Sequence, residues 1–271
     1  MEKKNNHYIP KCLLKRWVTN DKKYKGVYIL DFISREVSYQ CSQGKNAFPF
    51  SSIDNFYTLK RNGERLLNLE NWFGGLENAL SIFIDKITQK EANPFKHIGQ
   101  LNKLVMGLNS FEFRSPYFFE KANQYLEQNP EIKKSFKDKS NLQIILENVV
   151  IGTSELTNLT FPVEFLVLNS NVPILLCDRP LVRNMVDNYS FIPLTPNLIL
   201  SFRKTSKESI ISYKMIDENL STNFNNIMKD RARKWIASVD NIGLKNIEIR
   251  PGREETIEYP EIKTFIKAYE F

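Results

Sequence analysis

Four polar residues in unusual local settings are the candidates for chemistry in this 271-residue sequence: His7, Glu77, Arg114 and Asp178. His7 precedes a proline turn at a lysine-rich end, where neighbouring cations lower an imidazole pKa and favour the neutral, proton-accepting form. Asp178 follows the apolar run Ile174-Leu175-Leu176-Cys177 and precedes Arg179-Pro180. A carboxylate at the end of a buried strand projects into a crevice, as catalytic acids often do; it could equally make a turn and cap local amides. Glu77 lies beside an apolar helical stripe rather than opposite it, pointing along the surface toward another element, or simply solvated. Arg114, at a helix end before Ser115-Pro116, offers a planar fork to a phosphate or carboxylate, or pairs with Glu77 as a structural bridge. His97, at a helix start in Pro94-Phe95-Lys96-His97-Ile98, reads as structural.

Several established chemistries are absent. There is no GxGxxG, no Walker phosphate loop, no HExxH and no GxSxG. Asp31 and Glu36 begin the acidic pattern of a restriction-type nuclease, but Ser38 stands where that pattern needs lysine. Cys12, Cys41 and Cys177 are scattered, and neither histidine has a metal-ligand neighbour at zinc-site spacing. Isolated thiols, no apolar run of membrane-spanning length and no apolar stretch behind the charged N-terminus predict a cytoplasmic protein without a membrane partner.

The formal net charge is +7, and its distribution is uneven. Lys3, Lys4, Lys11, Lys15, Arg16, Lys22, Lys23 and Lys25 crowd one end, whereas residues 254–271 are acidic. A basic face favours encounter with polyanions; docking against the acidic tail, or solvation, is the plainer reading. Tyr8, Trp17, Tyr24 and Tyr28 interleave with Lys11, Lys15, Arg16 and Lys25, a pattern that can stack bases and neutralise phosphates. Leu13 and Leu14 beside Trp17 argue instead for a core tryptophan.

The elements that must position these residues are legible as periodicities. Val27–Phe32 and residues 36–41 predict a hairpin, and Phe56–Leu59 a short strand. Leu76, Ala79, Leu80, Phe83, Ile84 and Ile87 make one helical stripe; Leu101, Leu104, Val105, Leu108 and Phe111 make another. Further helices are predicted over residues 117–128 and 141–151. Residues 163–168 and 172–177 read as a buried hairpin, followed by strands at 191–192, 198–202 and 210–215, a helix over 221–235 and a closing strand near 247–249. Strands, then helices, then strands predict an α+β fold: an N-terminal β-hairpin and a central helical segment packed on a C-terminal, mainly antiparallel sheet. The expectation is one unit over 1–271, subdivided into 1–60, 61–158 and 159–271.

His7-Tyr8-Ile9-Pro10, followed by Leu13-Leu14-Lys15-Arg16-Trp17, resembles the opening of the bacterial family catalogued as domain of unknown function 4238. Its other landmarks are matched in order by Val27–Asp31, Phe56-Tyr57, Leu76-Glu77, Arg114-Ser115-Pro116, residues 177–182, residues 193–197, and a final helix with Asn225 and Ala232. The resemblance spans residues 7–240. It implies a setting in anti-phage defence without a transferable reaction, and it raises His7, Glu77, Arg114 and Asp178 together as a shared pocket.

These readings lead to a nuclease-type effector acting on nucleic acid, RNA rather than DNA. His7 is then the acid–base, Asp178 its partner or a metal ligand, and Arg114 the phosphate clamp, with Lys11, Lys15 and Arg16 binding nucleic acid. Magnesium held by Asp178 and Glu77 is the cofactor left open. The alternative is a non-enzymatic sensor or binder of a phage component such as a phage protein, with the four polar residues as a structural network. A hydrolase or transferase for a nucleotide-like small molecule is the third class.

Overall fold

A computed structural model describes residues 5–44, 47–61, 64–91, 93–95, 98–137, 139–184 and 189–249. His97, Lys3, Lys4 and the acidic stretch 254–271 lie outside the described residues. Along the chain run β1 (Asn5–His7), α1 (Lys11–Leu14), a 3-10 turn (Lys15–Trp17), β2 (Gly26–Asp31), β3 (Val37–Cys41), β4 (Ser52–Asp54), β5 (Thr58–Arg61) and β6 (Glu64–Asn68). The helices α2 (Glu70–Thr88), α3 (Ile98–Ser110), α4 (Pro116–Gln128), α5 (Pro130–Ser135) and α6 (Asn141–Thr160) follow. The last part holds β7 (Val163–Ser170), β8 (Leu176–Cys177), β9 (Val182–Asn184), β10 (Tyr189–Thr195), β11 (Leu198–Lys204), β12 (Ile210–Ile216), α7 (Glu218–Arg231), β13 (Trp235–Ser238) and α8 (Ile242–Lys245). The fold class is α+β, with mostly antiparallel sheets.

The chain divides into two compact units that do not follow sequence order. One comprises Met1–Cys12 and Ser51–Leu159; the other comprises Leu13–Phe50 and Thr160–Phe271. In the first unit, β1 pairs antiparallel with β4, placing His7 opposite Ser52. Helix α2 begins with Glu70 in its first turn, where a carboxylate suits the positive end of the helix dipole. It buries Phe73, Leu76, Leu80, Phe83, Ile84 and Ile87, the expected stripe with Phe73 added. Gly107 of α3 lets that helix approach closely: a Cβ there would stand 3.3 Å from the Leu76 carbonyl oxygen. Ser115 caps α4 by accepting the Phe118 amide at 3.2 Å, with Pro116 in the first turn.

Helix α6 runs nine residues beyond the 141–151 expected from sequence. Its buried face continues through Thr153 and Thr157. Their hydroxyls bond the carbonyls four residues back, at 2.6 and 2.7 Å, so threonines occupy positions where apolar residues were sought.

In the second unit, five strands order as β12-β7-β11-β10-β9, with only the β12–β7 pair parallel. Four more order as β3-β2-β13-β8, all antiparallel. One core cluster joins Leu30, Cys177 and Ile236 of the second sheet to Leu168, Phe191 and Ile199 of the first. Phe224, Ile227 and Met228 of α7 complete it. Each large apolar side chain so buried contributes about 1.5–3 kcal/mol.

Four expectations are corrected here. The apolar run 172–177 does not fold back on β7; β7 lies between β11 and β12, while β8 joins the other sheet. Residues 172–175 cross between the sheets, with backbone groups bonded by side chains: Leu175 N–H to Asn225 Oδ1 at 2.8 Å, and Asn225 Nδ2–H to the Pro173 carbonyl at 2.9 Å. Trp17 Nε1–H reaches the Ile174 carbonyl at 2.8 Å. Helix α7 stops at Arg231, and Trp235-Ile236-Ala237-Ser238, all buried, form the strand between β2 and β8. No strand forms at Ile247–Ile249. Finally, Phe56 and Tyr57 occupy a turn before β5, after Asn55 at φ 55°, a conformation asparagine tolerates.

Candidate functional site

His7, Glu77 and Arg114 all belong to the first unit, and the arginine ties them together. Arg114 follows α3, where three successive short-range backbone bonds end the helix: Phe111 to Leu108, Glu112 to Asn109 and Phe113 to Ser110. Its Nη2 donates to the His7 carbonyl at 3.1 Å and to Glu77 Oε1 at 2.5 Å. The guanidinium lies 4.1 Å from the Phe73 ring centroid, a cation–π contact from the same helix that carries Glu77. The side chain of Arg114 is 3% exposed, that of Glu77 28%. Burial works against the Arg114 charge, yet the neighbouring Glu77 carboxylate and Tyr57 outweigh it and raise the arginine pKa further.

Asn6 and Tyr57 complete this arrangement, and sequence reasoning gave neither a site role. The buried Asn6 donates Nδ2–H to Glu70 Oε2 at 2.9 Å and accepts the Tyr57 amide at 3.2 Å. The Tyr57 hydroxyl donates to the Arg114 carbonyl at 2.8 Å, and burial pushes its pKa up. The signal available was position: Asn6 abuts His7, and Phe56-Tyr57 was already a landmark of the resemblance. The outcome is that the strand bearing His7, the helix bearing Glu77 and the turn after α3 share one buried cation. His7 and Glu77 themselves keep part of their surface in solvent.

Asp178 belongs to the second unit, and its surroundings are backbone. It follows β8 and is 1% exposed. Its Oδ1 accepts the amides of Arg233 at 2.8 Å and Lys234 at 3.1 Å, in the turn between α7 and β13. Burial raises the Asp178 pKa, while the amides of Arg233, Lys234 and Trp235 and the Arg179 charge pull it down. Arg231 Nε–H donates to the Arg179 carbonyl at 3.1 Å and fastens the same turn from the other side. A carboxylate so bonded is able to hold a turn.

Of the proposed nucleic-acid-binding residues, Lys15 is exposed, whereas Lys11 and Arg16 are partly buried. Trp17 and Tyr8 are core residues, not stacking platforms. Aromatic and basic side chains do meet in the second unit, where Tyr24 is 43% exposed and Lys22 lies 5.5 Å from the Tyr39 ring centroid. Tyr28 and Tyr24 flank Tyr39 at 4.7 and 5.4 Å between centroids.

Glu77 and Asp178, the two carboxylates considered for magnesium, fall in different units. Among the described residues no group of three or more His, Cys, Asp or Glu side chains is placed to hold a metal ion. The cysteines are free thiols in contrasting settings: Cys41 exposed, Cys12 intermediate and Cys177 buried. Burial pushes the Cys177 thiol up to about 12, which suppresses the reactive thiolate. A disulfide reagent is therefore expected to modify Cys41 promptly in the folded protein and Cys177 only in denaturant, as read by mass mapping. Prompt labelling of Cys177 would contradict this packing.

None of the described helices is long and apolar enough to cross a membrane. No curated protein and no solved structure matches the chain. A family model does, over residues 5–241, a span that contains β1, Glu77, Arg114, the Asp178 turn and β13. The landmarks that carried the resemblance include the buried Arg114, the Asp178 turn and the Asn225 that bonds the crossing segment, and the chain belongs to the family described as protein of unknown function (DUF4238).

Proposed function

We propose that this chain is an anti-phage defence protein that cleaves nucleic acid, RNA in preference to DNA, with His7 and Glu77 as the reacting pair. The observation that supports this reading is the shared donor: one buried Arg114 nitrogen bonds the His7 carbonyl and the Glu77 carboxylate. The main chain of His7 and the carboxylate of Glu77, two part-exposed residues, are thereby held to one nitrogen, an anchoring that serves acid–base catalysis. Arg114 is here a positioning residue, because its burial keeps it from clamping a substrate phosphate. Neutral His7 takes the proton of the attacking ribose 2′-hydroxyl as that oxygen bonds phosphorus, the Glu77 carboxylate stabilises the imidazolium, and the imidazolium returns the proton to the 5′-oxygen released as the phosphorus–oxygen bond breaks. Lys11, Lys15 and Arg16 attract the polyanion. The defence setting comes from the family resemblance.

His7→Ala is expected to reduce RNA cleavage about 100-fold or more with little change in thermal midpoint, and Glu77→Gln, which strips the buried Arg114 of its counter-charge, to lose about as much cleavage, beyond what its lowered thermal midpoint explains. Unaltered cleavage and phage protection in both variants would defeat the proposal. The buried Arg114 and the amide-bound Asp178 favour a second reading, a non-catalytic binder of a phage component. On that reading the same variants lose protection only in proportion to lost stability.

A further inference from the structure

The loop leading into β2 presents five exposed residues in a row, Asp21-Lys22-Lys23-Tyr24-Lys25, and it is tied down at both ends. Thr19 and Gly26 exchange two backbone bonds, at 2.8 and 3.2 Å, and the Ser42 amide and hydroxyl both donate to the Lys25 carbonyl. Gly26 makes room for an aromatic ring, because a Cβ there would stand 2.7 Å from the ring of Tyr39. The Tyr39 hydroxyl donates to the Thr19 carbonyl at 2.8 Å, and the Tyr24 hydroxyl donates to the Tyr39 carbonyl at 3.1 Å. Tyr24 is thereby held against the Tyr39 ring while 43% of it stays in solvent. Lys22 Nζ lies 5.5 Å from the same Tyr39 ring centroid. Among the described residues, none of the three lysines is in an ion pair; Asp21, the carboxylate of the loop, interacts with Tyr28. An anchored ring that keeps solvent contact amid unneutralised ammonium groups binds a planar, anionic partner without first being ordered.

We propose that Tyr24, backed by Tyr39 and accompanied by Lys22, Lys23 and Lys25, is a binding surface for single-stranded nucleic acid. A base stacks on the Tyr24 ring, and the lysines neutralise the phosphates on either side of it. A duplex keeps its bases stacked on one another and offers none to the ring; an acidic peptide brings charge without a base. The surface rests on the nucleic-acid reading for its class of partner. Its residues belong to the second unit, whereas His7 and Glu77 belong to the first, and holding a strand here requires no cleavage.

The test titrates the full chain into a fluorescent oligodeoxythymidylate of about 12 nucleotides and reads anisotropy. That probe lacks the 2′-hydroxyl, so the proposed cleavage cannot consume it. Tyr24→Ala is expected to bind about tenfold more weakly, and Tyr24→Phe, which keeps the ring and loses only the hydroxyl bond, within about twofold of wild type. Joint replacement of Lys22, Lys23 and Lys25 by alanine is expected to reduce the slope of log affinity against log salt by about 2. Thermal midpoints of all three variants are expected to match wild type, since the side chains removed are exposed. Absence of binding by wild type overturns the surface, as does unchanged affinity in Tyr24→Ala. Equally tight binding of a duplex, or equal competition by polyglutamate, also overturns it, the latter pointing to an acidic protein as partner. Because the readout is binding of DNA, failure here leaves RNA cleavage by His7 unaffected, and a chain that cleaves nothing can still bind the probe.

Discussion

Arg114→Ala is expected to destabilise the protein by about 3–5 kcal/mol, the range for removing one partner of a buried ion pair. The substitution removes a side chain that is 3% exposed and strips the His7 carbonyl and Glu77 Oε1 of their common donor. It also vacates the space against Phe73. Because the Glu77 side chain is 28% exposed, it can recover hydration, which places the expected loss toward the lower end. At roughly 2–4 °C per kcal/mol for a chain of this size class, the thermal midpoint falls by about 6–12 °C. Urea unfolding of Arg114→Ala, Glu77→Ala and the double variant isolates the coupling between the two. Independent, additive effects would show that the ion pair does not hold α2 to the turn after α3.

Asp178→Ala and Asp178→Asn are expected to part company. Alanine leaves the amides of Arg233 and Lys234 without their acceptor inside the protein, at about 1–3 kcal/mol for each orphaned group. Asparagine keeps an oxygen at the same place and sheds the burial cost of a charge, so its stability is expected within about 1 kcal/mol of wild type. Denaturant midpoints check both, and phage protection should follow stability. A D178N variant that folds normally but loses protection would make Asp178 a reacting group and overturn its assignment as the brace of the α7–β13 turn.

The sequence made regular periodicity readable and left side-chain substitutes for backbone invisible. The stripe of α2 stood out because every third or fourth residue was aliphatic or aromatic; the second half of α6 did not, because Thr153 and Thr157 hide hydroxyls in bonds to their own helix. Residues 172–175 looked like a strand, since burial and an apolar run mark a crossing segment as well as a ladder. What distinguishes them is Asn225, some fifty residues away, whose amide supplies both a donor and an acceptor to that backbone. Trp235 and Ile236 fell in phase with α7, and only the amide-binding Asp178 reveals where the helix gives out. For the candidate site, Arg114 was legible as a fork with Glu77 as one partner, but its second acceptor, the His7 carbonyl, is a main-chain atom that no side-chain pattern announces.

The pairing of β2 with β13 sets Asp31 opposite Trp235, so the hairpin made early in synthesis waits for a partner about 200 residues downstream. At synthesis speeds of about 5–20 residues per second, that delay lasts some 10–40 s. Throughout it, β2 is paired with β3 on one edge and its other edge lacks β13. An edge left unpaired for that long is a template for mispairing with other chains.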